Sequence, residues 1–274
     1  MYFVGSLDDT ALLSYISETL EMAHEHAHRL IYAADLSFAD CADFKEVHVK
    51  AARFHDEAVG ALRETGVVFK GNTIFRVLGQ IALASTAAAG LRSFADYKLF
   101  DVHDTCVNDL SWLRLVPNLE VLTICERVPT TVFGEAARLL PNTVIAPIYP
   151  LTDLNDADFW ERGEINRPTA VAEFFKRAAK LPAKGSISSA RDLQFAPEGF
   201  LIDHEAITPA IRPEWYFEPG DRNAVNALTP RKAILAGATR LVIGSPLRKN
   251  GALRDNTMRV LDEIGEALIE LNGK

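Results

Sequence analysis

Cysteine is scarce in this 274-residue chain: Cys41, Cys106 and Cys125 are the whole complement. Their odd number and irregular spacing exclude a disulfide framework and the paired pattern of a structural zinc site, and a reducing compartment is the simplest setting. Long apolar runs are also missing, since no stretch approaches the roughly 20 residues that cross a bilayer. The opening "MYFVGSLDDTALL" has no basic leader and meets acids at Asp8 and Asp9, unlike a secretory signal, so a cytoplasmic protein with no membrane partner is expected. Positive charge is in deficit. Lys and Arg number 29 against 37 Asp and Glu, a formal net charge of -8, which argues against the basic face that nucleic acid requires. A local cationic pocket for a small anion is compatible with that balance. Linkers, low-complexity tracts and internal repeats are absent, which leaves no internal boundary at which to divide the main fold.

What the chain does contain is a rhythm. A polar segment from about Asp8 to Arg29, with Leu12, Ile16 and Leu20 at helical spacing, predicts a helix ahead of the main fold. From Leu30 onward, short β-rich runs alternate with longer amphipathic stretches. The runs are "LIYAAD", "VVFKGN", "LRSFADYK", "LEVLTIC", "NTVIAPIYP", "AKGSISS", "HEAITPAIRP" and "TRLVIGSP". The intervening stretches include "DFKEVHVKAARFHDEAVGALRETG" and "TIFRVLGQIALASTAAAG", each expected as one helix. Strands joined through helices pair in parallel by right-handed crossovers, and eight such units predict a (β/α)8 TIM barrel, an α/β fold. The expected organisation is a helical extension over residues 1–29 followed by a barrel over 30–274.

In this fold functional side chains sit at the C-terminal ends of the strands and in the loops that follow. Polar residues recur there: Asp35, Lys70, Asp96 with Lys98, Thr152, Ser189, Arg212, and the "GSP" that begins at Gly244 and Ser245. The densest group is "ADYKLFDVHDT", residues 95–105. Alternation along a strand sends Asp96 and Lys98 to one face and Tyr97 to the other, with Lys70 on the neighbouring strand able to join them. Alternating charges in a confined mouth hold one another ionised where burial alone would neutralise them. Such an array can repel a substrate anion and donate a proton. The same letters also describe an ordinary exposed group of ion pairs. Other candidates are weaker. His24 and His28 share a helix face at metal-capable spacing but have no third ligand, so a solvated face is expected. His103 near the mouth is a titratable loop residue. "EWYF" at 214–217 fits either a closing lid or rim packing.

The run "DYKLFDVHDT" resembles the signature D-x-K-x-x-D-I-P-x-T of the orotidine 5'-phosphate decarboxylase family, matching at Asp96, Lys98, Asp101 and Thr105. The resemblance continues in order over roughly residues 30 to 265. "YAADLS" places Asp35 at the ribose-binding position, "VVFKGN" supplies Lys70, and "PLTDLNDADF" puts Thr152 at the base-contacting position. "SSARDL", "TPAIRP" and "LTPRKAILAGATRLVIGSP" match the later strand ends. The resemblance implies cofactor-free decarboxylation of orotidine 5'-monophosphate (OMP) to UMP, a step of pyrimidine biosynthesis. Asp96 would crowd the substrate carboxylate and Lys98 would protonate C6, with Lys70 and Asp101 completing a charged quartet. It also implies a homodimer in which Asp101 and Thr105 reach into the partner's site. A magnesium-using relative, the hexulose-phosphate synthase type, carries an acid where this chain has Lys70, and a cation there opposes a metal site.

Some positions depart from the family pattern. His103 stands for the usual Pro, Asp104 for Asn and Ala210 for Gly. Ser245 replaces the Arg that grips phosphate after the eighth strand, while Arg222 replaces a Gln in the phosphate loop and Arg248, three residues after Ser245, is another candidate replacement. A paralogous barrel enzyme acting on another phosphorylated anion, and a catalytically silent binding protein of the same fold, are therefore alternative readings.

Overall fold

The computed structural model describes residues 25–149, 157, 166–216, 227–249 and 251–273. Eight parallel strands close in sequence order: β1 (Leu30–Ala33), β2 (Val68–Gly71), β3 (Arg92–Leu99), β4 (Leu119–Cys125), β5 (Val144–Ile148), β6 (Gly185–Ile187), β7 (Glu205–Thr208) and β8 (Arg240–Ile243). β1 pairs with β8, with Ile31 opposite Val242, which closes the barrel. The expected (β/α)8 architecture is therefore the observed one. Most of the predicted helix from Asp8 lies outside the described residues, as do Thr152 and Arg222; its last residues, Ala27–Arg29, form a single 3-10 turn.

Alternation along the strands divides the core. Ile31, Val68, Phe94, Val121, Ile207 and Val242 fill the lumen, while their neighbours Tyr32, Phe69, Ala206 and Leu241 pack outward with Phe174 and Phe175. β-branched side chains suit both faces of strands buried on two sides. At the N-terminal end, Arg240 is only 6% exposed and bridges Glu120 and Glu205, and Arg92 joins Glu120 at 3.0 Å. Each of these ions has an opposite partner, the condition under which charge is tolerated inside a fold.

The helices follow the apolar periodicity, with one correction. Phe44–Leu62 is continuous, and its N-terminus is capped by Asp43, which accepts from the Glu46 N–H at 2.8 Å. The stretch expected as a single helix after β2 is two, Thr73–Leu78 and Gln80–Ala88. Gly79 between them has φ 65°, a left-handed conformation that interrupts the helical ladder and suits a residue without Cβ.

Candidate active site at the C-terminal mouth

The centre of the mouth is Asp96. It is 4% exposed, and both carboxylate oxygens are used. Oδ2 faces Lys70 Nζ at 3.0 Å; Oδ1 accepts from Lys98 Nζ at 2.7 Å and from the Thr123 hydroxyl at 3.0 Å. Lys70 also reaches Asp35 at 3.7 Å. The order of charges is thus Asp35, Lys70, Asp96, Lys98. Burial pushes the Asp96 carboxyl up, but Lys70 and then Lys98 outweigh it and leave the group at about 2. Burial likewise pulls the Lys70 ammonium down, and Asp96 and Asp35 overcome it, holding the group above its ordinary value. The two central ions keep each other charged away from water. A fixed array of charges around a buried centre of this kind can act on a substrate anion without reorganising.

The backbone that presents Lys98 is irregular, which corrects the simple alternation expected for β3. Ala95 pairs with Leu122 and Leu99 with Ile124, so β3 advances four positions while β4 advances two. The excess forms a bulge, as at many functional sites. Lys98 lies within it at φ 48°, a left-handed conformation unusual for a side chain of this kind. Its N–H donates to Thr123 Oγ1 at 2.9 Å. Thr123 carries no charge and sits in mid-strand, where Thr is an ordinary β-former; only the register shift brings it to the site.

Asp101 is not part of the array within one chain. Its side chain is exposed and accepts from the Val102 N–H at 2.7 Å, and the second carboxylate on Lys70 within the chain is Asp35. Thr105 is exposed on the following helix, His103–Leu113. Lys98 and Asp101 line a common cavity of about 440 Å³ with Arg76, Tyr97, Phe100 and Trp112. His103 turns to Asp104 at 3.0 Å.

Across the mouth, Gly244 approaches β1 closely: a Cβ there would lie 3.2 Å from the Ala33 carbonyl oxygen and 3.7 Å from Asp35 Oδ2. Ser245 Oγ is 3.4 Å from the Tyr216 hydroxyl, and the Arg212 guanidinium stands over the Tyr216 ring at 5.7 Å. Arg212, Tyr216 and Ser245 thus form one corner. Arg248, considered above as a substitute for the missing cation, turns to the helical layer instead, donating to the Tyr32 hydroxyl at 3.3 Å and lying over Phe54. Ser189 is buried and caps a 3-10 helix, Ala190–Phe195, by accepting from the Arg191 N–H. The described part of "EWYF" packs on the rim, with Trp215 beneath Arg259 at 4.4 Å and Tyr216 buried. Ala210, where the resemblance expects Gly, keeps a left-handed backbone with φ 63°. His24 lies outside the described residues. His28 has its proton affinity lowered by burial and then by Arg240, Arg92 and Arg29, surroundings that do not favour a cation.

Fold and site together define a (β/α)8 barrel that carries an alternating carboxylate–ammonium array at its C-terminal mouth. No family model matches the chain. Curated sequences do: an orotidine 5'-phosphate decarboxylase from a Methylobacterium species is 28% identical over 249 residues, covering 87% of this chain and 96% of its own length. Another from the Wolbachia of Brugia malayi is 26% identical over 204 residues, covering 73% and 88%. Among solved structures, the orotidine 5'-phosphate decarboxylase of Lactobacillus acidophilus superposes with a TM-score of 0.68 at 18% identity, over 86% of this chain and 99% of that one. In sequence the chain is thus similar to orotidine 5'-phosphate decarboxylases, and in fold to a solved one.

Proposed function

We propose that the protein decarboxylates OMP to UMP without metal or organic cofactor. The observation that carries this reading is the buried Asp96 carboxylate held between Lys70 and Lys98 in a chain whose curated relatives bear that activity. In this reading the substrate carboxylate is placed against Asp96, and like-charge repulsion raises the ground state relative to a transition state that is losing its carboxylate charge. The C6–carboxyl bond breaks, carbon dioxide leaves, and the electron pair stays on C6. The Lys98 ammonium opposes that developing charge and then delivers its proton to C6. Lys70 fills the space between Asp35 and Asp96 that a divalent cation would otherwise take.

We assign Asp35 to the ribose hydroxyls, Thr152 to the base, and Ser189, Arg212, Gly244 and Ser245 to the remaining base and phosphate contacts. Arg222 is the proposed phosphate cation in place of the missing eighth-strand Arg. Arg suits that role because its planar fork donates two parallel charge-assisted bonds. Asp101 and Thr105, exposed beside Phe100 and Val102, which are 69% and 68% exposed, complete the site across a homodimer in this reading.

The test is UMP formation from OMP by wild type and by Lys98→Ala. Wild type should turn over and Lys98→Ala should be inactive while remaining folded; near wild-type turnover by the variant sinks the assignment. Ser245 in the phosphate position favours one second reading, a paralogous enzyme for a different anion. Comparing kcat/KM for OMP and for phosphate-free orotidine separates the two, because an enzyme indifferent to the phosphate is not the proposed decarboxylase.

A further inference from the structure

We infer that Thr123 is a positioning residue, fixing the Asp96–Lys98 pair by pinning the Tyr97–Lys98 peptide between itself and Arg76. This rests on the proposed role of Lys98 as proton donor and adds a device that the sequence pattern does not announce.

Lys98 holds a left-handed backbone, φ 48°. A left-handed backbone is strained for a residue with Cβ, and such strain persists only where its surroundings over-determine it. Two contacts do so here, one at each end of the same peptide unit. On the lumen side, the Lys98 N–H donates to Thr123 Oγ1 at 2.9 Å; on the outer side, the Tyr97 carbonyl accepts from Arg76 Nη2 at 2.8 Å. The plane of the peptide is therefore set from both directions.

The Thr123 hydroxyl also couples the peptide to the reacting group. A hydroxyl has one proton to give, and Thr123 gives it to Asp96 Oδ1, the same oxygen that accepts from Lys98 Nζ. Backbone amide, hydroxyl, carboxylate and ammonium of residues 96, 98 and 123 close into one ring of contacts. Thr123 is fully buried, so water cannot replace it in that ring. Without the hydroxyl, the Lys98 amide loses its acceptor, the bulge is free to relax, and Nζ leaves its place relative to C6. Misplacement by about 1 Å in a reacting group can cost on the order of a hundredfold in rate.

Three variants separate this role from simple packing. Thr123→Val keeps the shape and removes the hydroxyl, Thr123→Ser keeps the hydroxyl and removes a methyl, and Arg76→Gln breaks the outer contact at an exposed residue where folding is not at risk. With OMP, Thr123→Val should lower kcat by about thirtyfold or more with KM changed less than about threefold; Thr123→Ser should stay within about threefold of wild type, and Arg76→Gln should fall between them. A geometric readout independent of turnover accompanies these. Lysines are reductively methylated with 13C, and the Lys98 signal is assigned by its absence from Lys98→Arg. That signal should move toward those of exposed lysines in Thr123→Val and Arg76→Gln, and remain in Thr123→Ser. A Thr123→Val protein with wild-type kcat, equal losses in Thr123→Val and Thr123→Ser, or an unmoved Lys98 signal overturns the inference. If Thr123→Val does not fold, Arg76→Gln against wild type decides it. If wild type itself does not act on OMP, the proposed function fails and the Lys98 signal alone decides the positioning.

Discussion

Removing Lys70 while keeping its shape, as in Lys70→Met, probes the electrostatic core of the site without invoking substrate. The Asp96 carboxyl lies at about 2 against an ordinary 3.8, and at roughly 1.4 kcal/mol for each tenfold change in proton affinity the difference is worth on the order of 2.5 kcal/mol. A group whose folded value is depressed gives its stabilisation in full above pH 4 and loses it as pH falls toward 2. In Lys70→Met the largest opposing pull on Asp96 is gone, burial is countered by Lys98 alone, and the carboxyl rises. The stabilising contribution shrinks. A buried charge stripped of a partner typically costs about 3–5 kcal/mol, and the partial exposure of Lys98, its remaining partner, puts the expected loss at the lower end, about 3 kcal/mol near pH 7. Asp96→Asn alone should also destabilise, because it leaves Lys70 and Lys98 without the carboxylate between them. The double variant Lys70→Met with Asp96→Asn removes both ions and should be more stable than the sum of the two single losses allows, by about 2 kcal/mol or more. Urea unfolding at pH 7, 5 and 4 measures each quantity. The deficit of Lys70→Met should shrink as pH falls, because protonation of Asp96 relieves it. Additive losses in the cycle, a Lys70→Met protein within about 1 kcal/mol of wild type at pH 7, or a deficit that grows on acidification would refute the reasoning.

Two further outcomes are expected. Mixing inactive Asp96→Ala with inactive Asp101→Ala should restore part of the UMP-forming activity, since a mixed dimer contains one site free of both changes; no recovery, with subunit exchange demonstrated by mass spectrometry, removes the shared-site reading. Ala210→Gly should stabilise the fold by about 0.5–1 kcal/mol, because relief of about 1–2 kcal/mol of left-handed strain exceeds the unfolded-state entropy that Gly adds; an unchanged or lower urea midpoint is the contrary result.

The barrel was legible because the strands are short, mostly apolar runs, several of them β-branched, and because turn residues mark their ends. Their order needed no further information once every connection contained a helix. Boundaries were less legible. "HEAITPAIRP" reads as one long strand, yet β7 ends at Thr208, Ala210 takes a left-handed turn, and only an isolated bridge from Ile211 to Leu228 follows. The stretch through Gly79 shows the same limit: its apolar spacing fits one helix, and a single backbone angle divides it in two.

The site divides along a different line. Asp35, Lys70, Asp96 and Lys98 could be found because a charge at the end of a parallel strand is conspicuous against an apolar run, and the structure places all four together. The direction of Arg248 was not legible, because in a four-residue helix it depends on where that helix begins, which composition does not encode. Thr123 was invisible for a deeper reason. Its residue type is what any strand would choose, and its contact with Lys98 exists only because β3 gains two positions on β4. Regular alternation would have put Asp96 and Lys98 on one face without strain and without Thr123. The bulge instead turns the Lys98 amide to the Thr123 hydroxyl and the Lys98 ammonium to Asp96, so one irregularity serves both contacts. Local rules are broken where geometry must be held against its own relaxation, and at this barrel mouth the broken rule and the charged array coincide in Lys98.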